Sequence, residues 1–252
     1  MNYPQITGPV PTVTADQMTE VDRLATGPYG IDLLQMMELA GRALARVVQQ
    51  ASSPAATAVT VVAGAGGNGG GAMAAARRLA GLGFEVRVVV DRTVGRLTGA
   101  AAHQAATLEA IGIRPSTVLA AEPDALVIDG VIGYGLTDAP AGRAAELIDW
   151  IAGSGTTVVS LDIPSGTDAS TGESPGSSVA ADYTVTLALP KSGLIDLAAA
   201  GSLLLADIAI PPALWRRHFG LETERLFVES DVVDLTGARL DPPPRVEGSS
   251  DV

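Results

Sequence analysis

Val59-Thr60-Val61-Val62-Ala63-Gly64-Ala65-Gly66-Gly67-Asn68-Gly69-Gly70-Gly71 is an apolar β-branched run that breaks into glycines and one Asn, then continues as an Ala-rich stretch. β-Branched residues favour a strand, and the alanines that follow favour a helix. Glycines between them let the backbone approach a ligand closely. The first N–H groups of a helix expected from about Gly70 stay free to donate to a phosphate or another anion. The segment therefore predicts a strand, a ligand-binding loop and a helix, with a nucleotide-like ligand. Gly64-Ala65-Gly66-Gly67-Asn68-Gly69 also satisfies G-x-G-x-x-G, and Asp91 closes the next expected strand where a dinucleotide fold places its ribose-reading acid. That pattern alone is equally compatible with a glycine turn that binds no cofactor. No Lys-Ser/Thr follows it, which sets aside a phosphate-transferring P-loop.

Outward from this stretch, strands and helices alternate. Thr14-Ala15-Asp16-Gln17 forms a capping box for a first helix to about Ala25. Leu33, Met36, Met37, Ala40, Leu44 and Val47 recur at helical spacing and predict a second helix to about Gln50. After the strand at 58–63 come a helix to about Leu82, a strand at 85–90, a helix at 99–111 and a short strand near 117–119. Strands at 126–131, 156–161, 182–188 and 203–208 follow, with a helix near 142–153. Continuous apolar strands separated by amphipathic helices predict an α/β fold with a mostly parallel sheet covered on both faces. Residues 1–13 are expected as an N-terminal arm, 14–240 as a single domain and 241–252 as a disordered Pro/Ser-rich tail.

Composition narrows the function classes. With 252 residues, 47% hydrophobic and 17% charged, the chain can build one large core from Val, Leu, Ile and Ala. A net charge of −12 argues against nucleic acid and against anionic membrane surfaces as partners. The absence of cysteine excludes disulfides, thiolate metal sites and Cys nucleophiles. His103 and His218 are isolated and expected at the surface. No basic-then-apolar leader and no long apolar run are seen, so a soluble, cytoplasmic protein is expected.

Two strand ends carry acids. Asp129 lies within Val127-Ile128-Asp129-Gly130-Val131-Ile132, an apolar setting that is costly for a carboxylate unless it is paired, hydrogen-bonded or bound to a cation. Oxygen ligands from Asp129, Asn68 and Ser165 would suit an alkali or alkaline-earth cation; a plain loop-capping role for Asp129 is the alternative. Asp162 opens Asp162-Ile163-Pro164-Ser165-Gly166, where Pro stiffens the turn and Gly opens it, as expected for a carboxylate held ready for proton transfer. Turn geometry alone would also account for that motif.

Together, Asp22 to Gly41, the Gly64–Ala72 loop, Val127 to Leu136, Leu161-Asp162-Ile163-Pro164-Ser165-Gly166-Thr167-Asp168-Ala169, and Ala181 to Thr186 with Pro190-Lys191-Ser192-Gly193-Leu194 resemble the NAD(P)H-hydrate epimerases, the YjeF N-terminal domain. The resemblance covers roughly residues 14–230. It implies a Rossmann-like three-layer αβα sandwich, commonly dimeric, that interconverts the R and S forms of NADHX and NADPHX. A dehydratase, here on a separate polypeptide, would then restore the coenzyme. It also implies one potassium ion per subunit on Asn68, Asp129 and Ser165. Substrate contacts would come from Gly67, Asn68, Gly69, Gly70 and Gly71, from Gly133, Tyr134, Gly135, Leu136 and Thr137, and from Asp162, the residue expected to transfer the proton. Lys191 would add charge toward the pyrophosphate.

The chain departs from the family pattern at two places. Gly67-Asn68-Gly69-Gly70-Gly71-Ala72 stands where the family usually has Asn-Asn-Gly-Gly-Asp-Gly, and Glu38-Leu39-Ala40-Gly41 where it has Glu-Asn-Ala-Gly. Two alternatives follow. One is a noncatalytic nucleotide-binding or scaffolding relative, predicting ligand binding without turnover. The other is an NAD(P)-dependent oxidoreductase, resting on G-x-G-x-x-G and Asp91 alone.

Overall fold

A computed structural model describes residues 1–53 and 57–244. The β-branched run forms β2 (Ala58–Ala63), an interior strand in a sheet with β3 (Glu85–Val90), β4 (Leu126–Gly130), β5 (Thr157–Leu161), β6 (Tyr183–Leu187) and β7 (Ser202–Ala206). These six are parallel in the order β3-β2-β4-β5-β6-β7, and β8 (Val232–Asp234) closes the far edge antiparallel to β7.

The helices are α1 (Ala15–Thr26), α2 (Leu33–Ala51), α3 (Gly67–Gly81), α4 (Gly99–Ala110), α5 (Gly142–Ala152) and α6 (Pro212–Phe219). Alternation along the strands divides the core. Val59, Val61 and Ala63 join Leu44 and Val48 of α2, Met73 and Leu79 of α3 and Leu108 of α4. Val62, Val127 and Val158 turn the other way, onto Leu147, Ile148 and Ile151 of α5. With both faces covered, both side-chain sets must be apolar, which is why the strands read as continuous hydrophobic runs. The result is the α/β sandwich with a mostly parallel central sheet that the sequence predicts.

Several expectations need correction. No strand forms at 117–119: Ser116 makes one bridge to Val89, and Val118 is exposed. α3 starts at Gly67, not Gly70, so most of the expected glycine loop is the first turn of a helix. The segment 1–13, expected as an arm, is bound to the domain: β1 (Pro9–Pro11) pairs in parallel with β9 (Arg239–Asp241). The expected tail begins inside β9, and the Pro244 carbonyl accepts a hydrogen bond from Gln17 Nε2 at 3.1 Å. The rest of that tail, 245–252, lies outside the described residues. The Thr14–Gln17 capping box forms as expected, and a second, Asp32 with Gln35, starts α2.

Candidate active site

The strand order places β3 on one side of β2 and β4 on the other. Loops leaving the carboxyl ends of β2 and β4 therefore diverge and open a crevice, the position where open α/β sheets bind ligands. A cavity of about 420 Å³ lies there. Its walls come from α1 and α2, the first turn of α3, and the segments that follow β4, β5 and β6.

Gly66 caps α3 without a side-chain bond, and Gly70 N–H is the first of these glycine amides to bond back, donating to Gly66 at 3.0 Å. The preceding amides, with the positive end of the helix dipole, remain available to an anion. Gly67, Asn68 and Gly71 line the cavity. Gly69 and Gly70 do not; they are buried packing positions. A Cβ on Gly69 would sit 1.8 Å from the Gly64 carbonyl oxygen, which is backbone and cannot swing away. Gly69→Ala is thus expected to destabilise the protein by about 1–3 kcal/mol or more, read as a lower urea midpoint with an unchanged m-value.

Asp162 leaves β5 in the left-handed region, with φ 70°. Asp tolerates this conformation better than most side chains, but a non-Gly residue there marks a fixed, over-determined position. Its N–H donates to Val185 O at 2.7 Å. Its carboxylate, 3% exposed, forms an ion pair with the wholly buried Lys191 ammonium. Lys191 Nζ also donates to Leu187 O at 2.9 Å, while the Tyr134 and Leu187 N–H groups each donate to the Asp162 carboxylate at 3.3 Å. The N-terminal segment covers Lys191 from behind: Val13 N–H donates to Pro190 O at 3.0 Å and Ser192 N–H to Val13 O at 2.8 Å.

Asp129 is fully buried beside this cavity. Its oxygens accept from Ser165 Oγ, from Ser165 N–H and Ser160 Oγ at 2.8 Å, and from Val131 N–H at 3.3 Å. Burial pushes its carboxyl above the usual range, and the Ser165 and Ser160 bonds oppose that. Among the described residues no basic side chain pairs with it. Asn68 lies close by, its side-chain oxygen 3.2 Å from the position a Cβ would take on Gly133, and its buried Nδ2 has no hydrogen-bond partner. A buried carboxylate without a basic partner, beside the Asn68 side-chain oxygen and the Ser165 hydroxyl, is an oxygen-donor set that fits a weakly polarising cation.

Of the second expected loop, Gly133, Tyr134 and Gly135 line the cavity, whereas Leu136 and Thr137 lie beyond its lining. Asp91 takes no part: it pairs with its neighbour Arg92 at 2.8 Å, outside the cavity, which removes the residue on which a dinucleotide-type reading rested. Glu38, next to the Leu39 departure, also points elsewhere, bonding Arg77, Arg78 and Gln104 across α2, α3 and α4. Ala40 is the residue of that motif that lines the cavity, beside Leu33, Met36 and Met37 of the same helix.

Sequence reasoning missed two features. Asp22 of α1 lines the cavity and accepts a hydrogen bond from the Tyr134 hydroxyl. Its signal was an acid four residues after Met18, on a helix face that buries Met18, Val21 and Ala25. The other is composition: Lys191 is the only lysine among 16 Lys and Arg residues. A chain that uses Arg everywhere else keeps an ammonium at one buried position.

Residues 33–193 match the family described as YjeF-related protein N-terminus. The chain belongs to this family. Among curated members, it is 41% identical over 235 residues to the NAD(P)H-hydrate epimerase of Dehalogenimonas lykanthroporepellens, covering 90% of this chain and 93% of that one. It is 33% identical to the NAD(P)H-hydrate epimerase of Rhodopirellula baltica, over 82% of this chain and 88% of the relative. A longer relative, the bifunctional NAD(P)H-hydrate repair enzyme Nnr of Salinibacter ruber, is 34% identical over 80% of this chain, which spans 41% of it. The crystal structure of yeast ynu0, YNL200c, superposes with a TM-score of 0.78 at 22% identity, over 89% of this chain and 99% of that one, and shows the same fold.

Proposed function

We propose that the protein is an NAD(P)H-hydrate epimerase, an isomerase that interconverts the R and S forms of NADHX and NADPHX. The observation that carries this reading is the buried Asp162–Lys191 pair, in one cavity with the free amides of the α3 N-terminus. A proton-transfer group and an anion-binding helix end are what inversion in a pyrophosphate-bearing ligand requires. A cavity of about 420 Å³ is suited to the nicotinamide half of such a ligand, leaving the pyrophosphate at the amides of Gly67 and its neighbours.

The hydrated carbon adjoins the ring nitrogen. When its hydroxyl is protonated and leaves as water, the nitrogen lone pair stabilises the flat cation, and water can return to either face. Asp162 is the proposed proton-transfer group. Lys191 and the Tyr134 and Leu187 amides hold its carboxylate in place, so that little reorganisation is needed during reaction.

Potassium is the cation we propose beside this site, held by Asn68, Asp129 and Ser165. Bound, it would supply fixed positive charge that neutralises Asp129 and orders the loops around the ligand. Replacing potassium with tetramethylammonium at equal ionic strength is expected to lower Tm by an amount corresponding to about 2–3 kcal/mol if potassium was near 100 times its Kd, and Asp129→Asn is expected to abolish the difference. Equal melting curves in both salts would refute a potassium site.

The same reading makes the protein a cytoplasmic homodimer whose product passes to an NAD(P)H-hydrate dehydratase; the Salinibacter relative, named a bifunctional NAD(P)H-hydrate repair enzyme, supports a link to a second repair activity. The decisive assay is epimerisation of purified (R)-NADHX and (R)-NADPHX, followed by chromatography, with and without potassium, beside Asp162→Ala. Turnover above the spontaneous rate that disappears in the variant supports the proposal. Saturable binding without turnover would favour the noncatalytic relative, the reading to which the missing loop Asp near Gly71 points.

A further inference from the structure

Inversion by loss and return of water uses both faces of the ring: the hydroxyl leaves from one, and water arrives on the other. Each face needs a group that can give or take a proton. Asp162 accounts for one. The same cavity holds a second hydrogen-bonded pair, Asp22 and Tyr134, and both of these residues line it. The two pairs are neighbours. Lys191 Nζ stands 6.0 Å from the Tyr134 ring centroid, and the Tyr134 peptide N–H donates to the Asp162 carboxylate at 3.3 Å. They are presented by different walls, Asp22 from α1 and Asp162 from the carboxyl end of β5.

Asp22 forms no ion pair among the described residues, so it is not a partner in a structural salt bridge. Burial raises its carboxyl above the ordinary range, with the Tyr134 hydrogen bond and the Lys191 charge partly offsetting this. A carboxyl so placed exchanges protons nearer neutrality than an exposed Asp does. Burial also raises the Tyr134 phenol, and the Asp22 charge adds to it, so Tyr134 remains the neutral donor that aims the carboxylate.

We infer that Asp22, oriented by Tyr134, is the second acid/base of the inversion and serves the ring face opposite to that served by Asp162. The inference rests on the epimerase reading. In one direction, protonated Asp22 gives its proton to the departing hydroxyl. The C–O bond breaks with its electron pair on oxygen, and the ring nitrogen lone pair forms the C=N bond. Water then adds to the other face, that C=N pair returns to nitrogen, and the Asp162 carboxylate takes the surplus proton. One water leaves and one enters, and proton exchange with solvent resets the two carboxyls. The reverse direction exchanges their roles.

Oxygen-18 water separates the two faces. Each epimer of NADHX is incubated in it with the wild type, Asp22→Asn and Asp162→Asn, and both the label and the configuration are read by chromatography and mass spectrometry. Each variant is expected to lose inversion by about 100-fold or more. Each should still exchange the hydroxyl oxygen of one epimer with retention, because the remaining carboxyl can expel and return water on its own face. The two variants should label opposite epimers, and the retained exchange itself shows an intact fold. Tyr134→Phe should show the same epimer preference as Asp22→Asn with a smaller loss. Wild-type inversion rates in Asp22→Asn, joint loss of inversion and of exchange for both epimers, or labelling of the same epimer by both variants would each overturn the inference. A wild type that neither inverts nor exchanges would overturn the epimerase reading itself.

Discussion

Asp162→Asn is expected to lower kcat for NADHX epimerisation by about 100- to 10,000-fold while changing KM much less. The amide keeps the shape of the carboxylate, but its single oxygen can accept from only one of the Tyr134 and Leu187 N–H groups, which donate to different carboxylate oxygens, and it cannot take up a proton. Among residues with a side chain, Asn is also the replacement that best tolerates the φ of 70° at this position, so the backbone turn is preserved. Both replacements leave the Lys191 ammonium buried without its counter-charge and so lower stability, and Asp162→Ala, which lacks the matching shape and the tolerated backbone conformation, should lose more. A wild-type kcat in Asp162→Asn would remove this residue from the chemistry; a raised KM with unchanged kcat would make it a binding group only.

Lys191→Met is expected to cost about 3–5 kcal/mol of stability, because it leaves the Asp162 carboxylate buried without its counter-charge. The longest part of the lysine side chain is aliphatic, and Met fills the same slender volume, so the cost is electrostatic and not a cavity. Combining it with Asp162→Asn removes both charges together. The double variant should therefore lose less than the sum of the two single variants, and denaturant unfolding of all four proteins measures that coupling. Strict additivity would show that the pair does not act as a unit.

How legible the chain was depended on how far each signal was local. β2 and its glycines announced a strand, a turn and a helix because backbone permissiveness and β-branching act within a few residues. The start of α3 was misplaced because glycines read as loop formers. Here they are helical, since Gly69 and Gly70 face neighbours that leave no room for a side chain. β1, β8 and β9 are three residues each and exist only through partners far away in the chain, so no local pattern could reveal them. The apolar Val118-Leu119 read as a strand but has no ladder partner beyond the bridge at Ser116. α6 was readable in principle, from Pro212 at its start and Gly220, left-handed with φ 66°, at its end.

At the site, Asp129 and Asp162 stood out because an acid in an apolar strand end demands an explanation. Asp22 did not, because its setting comes from α1 docking over the carboxyl ends of strands that follow it in the chain. Proximity to Tyr134, more than 100 residues away, is a property of topology and leaves no mark on the neighbouring sequence.

Because Lys191 is the chain's only lysine and is wholly shielded from solvent, the folded protein offers amine-directed reagents nothing but its terminal amino group. Acylation at Lys191 can occur only while its packing and its ion pair with Asp162 open. Its mass-tagging rate is thus a built-in clock for breathing motions around Asp162, readable by peptide mapping without any engineered probe, and slowed by whatever ligand the chamber retains.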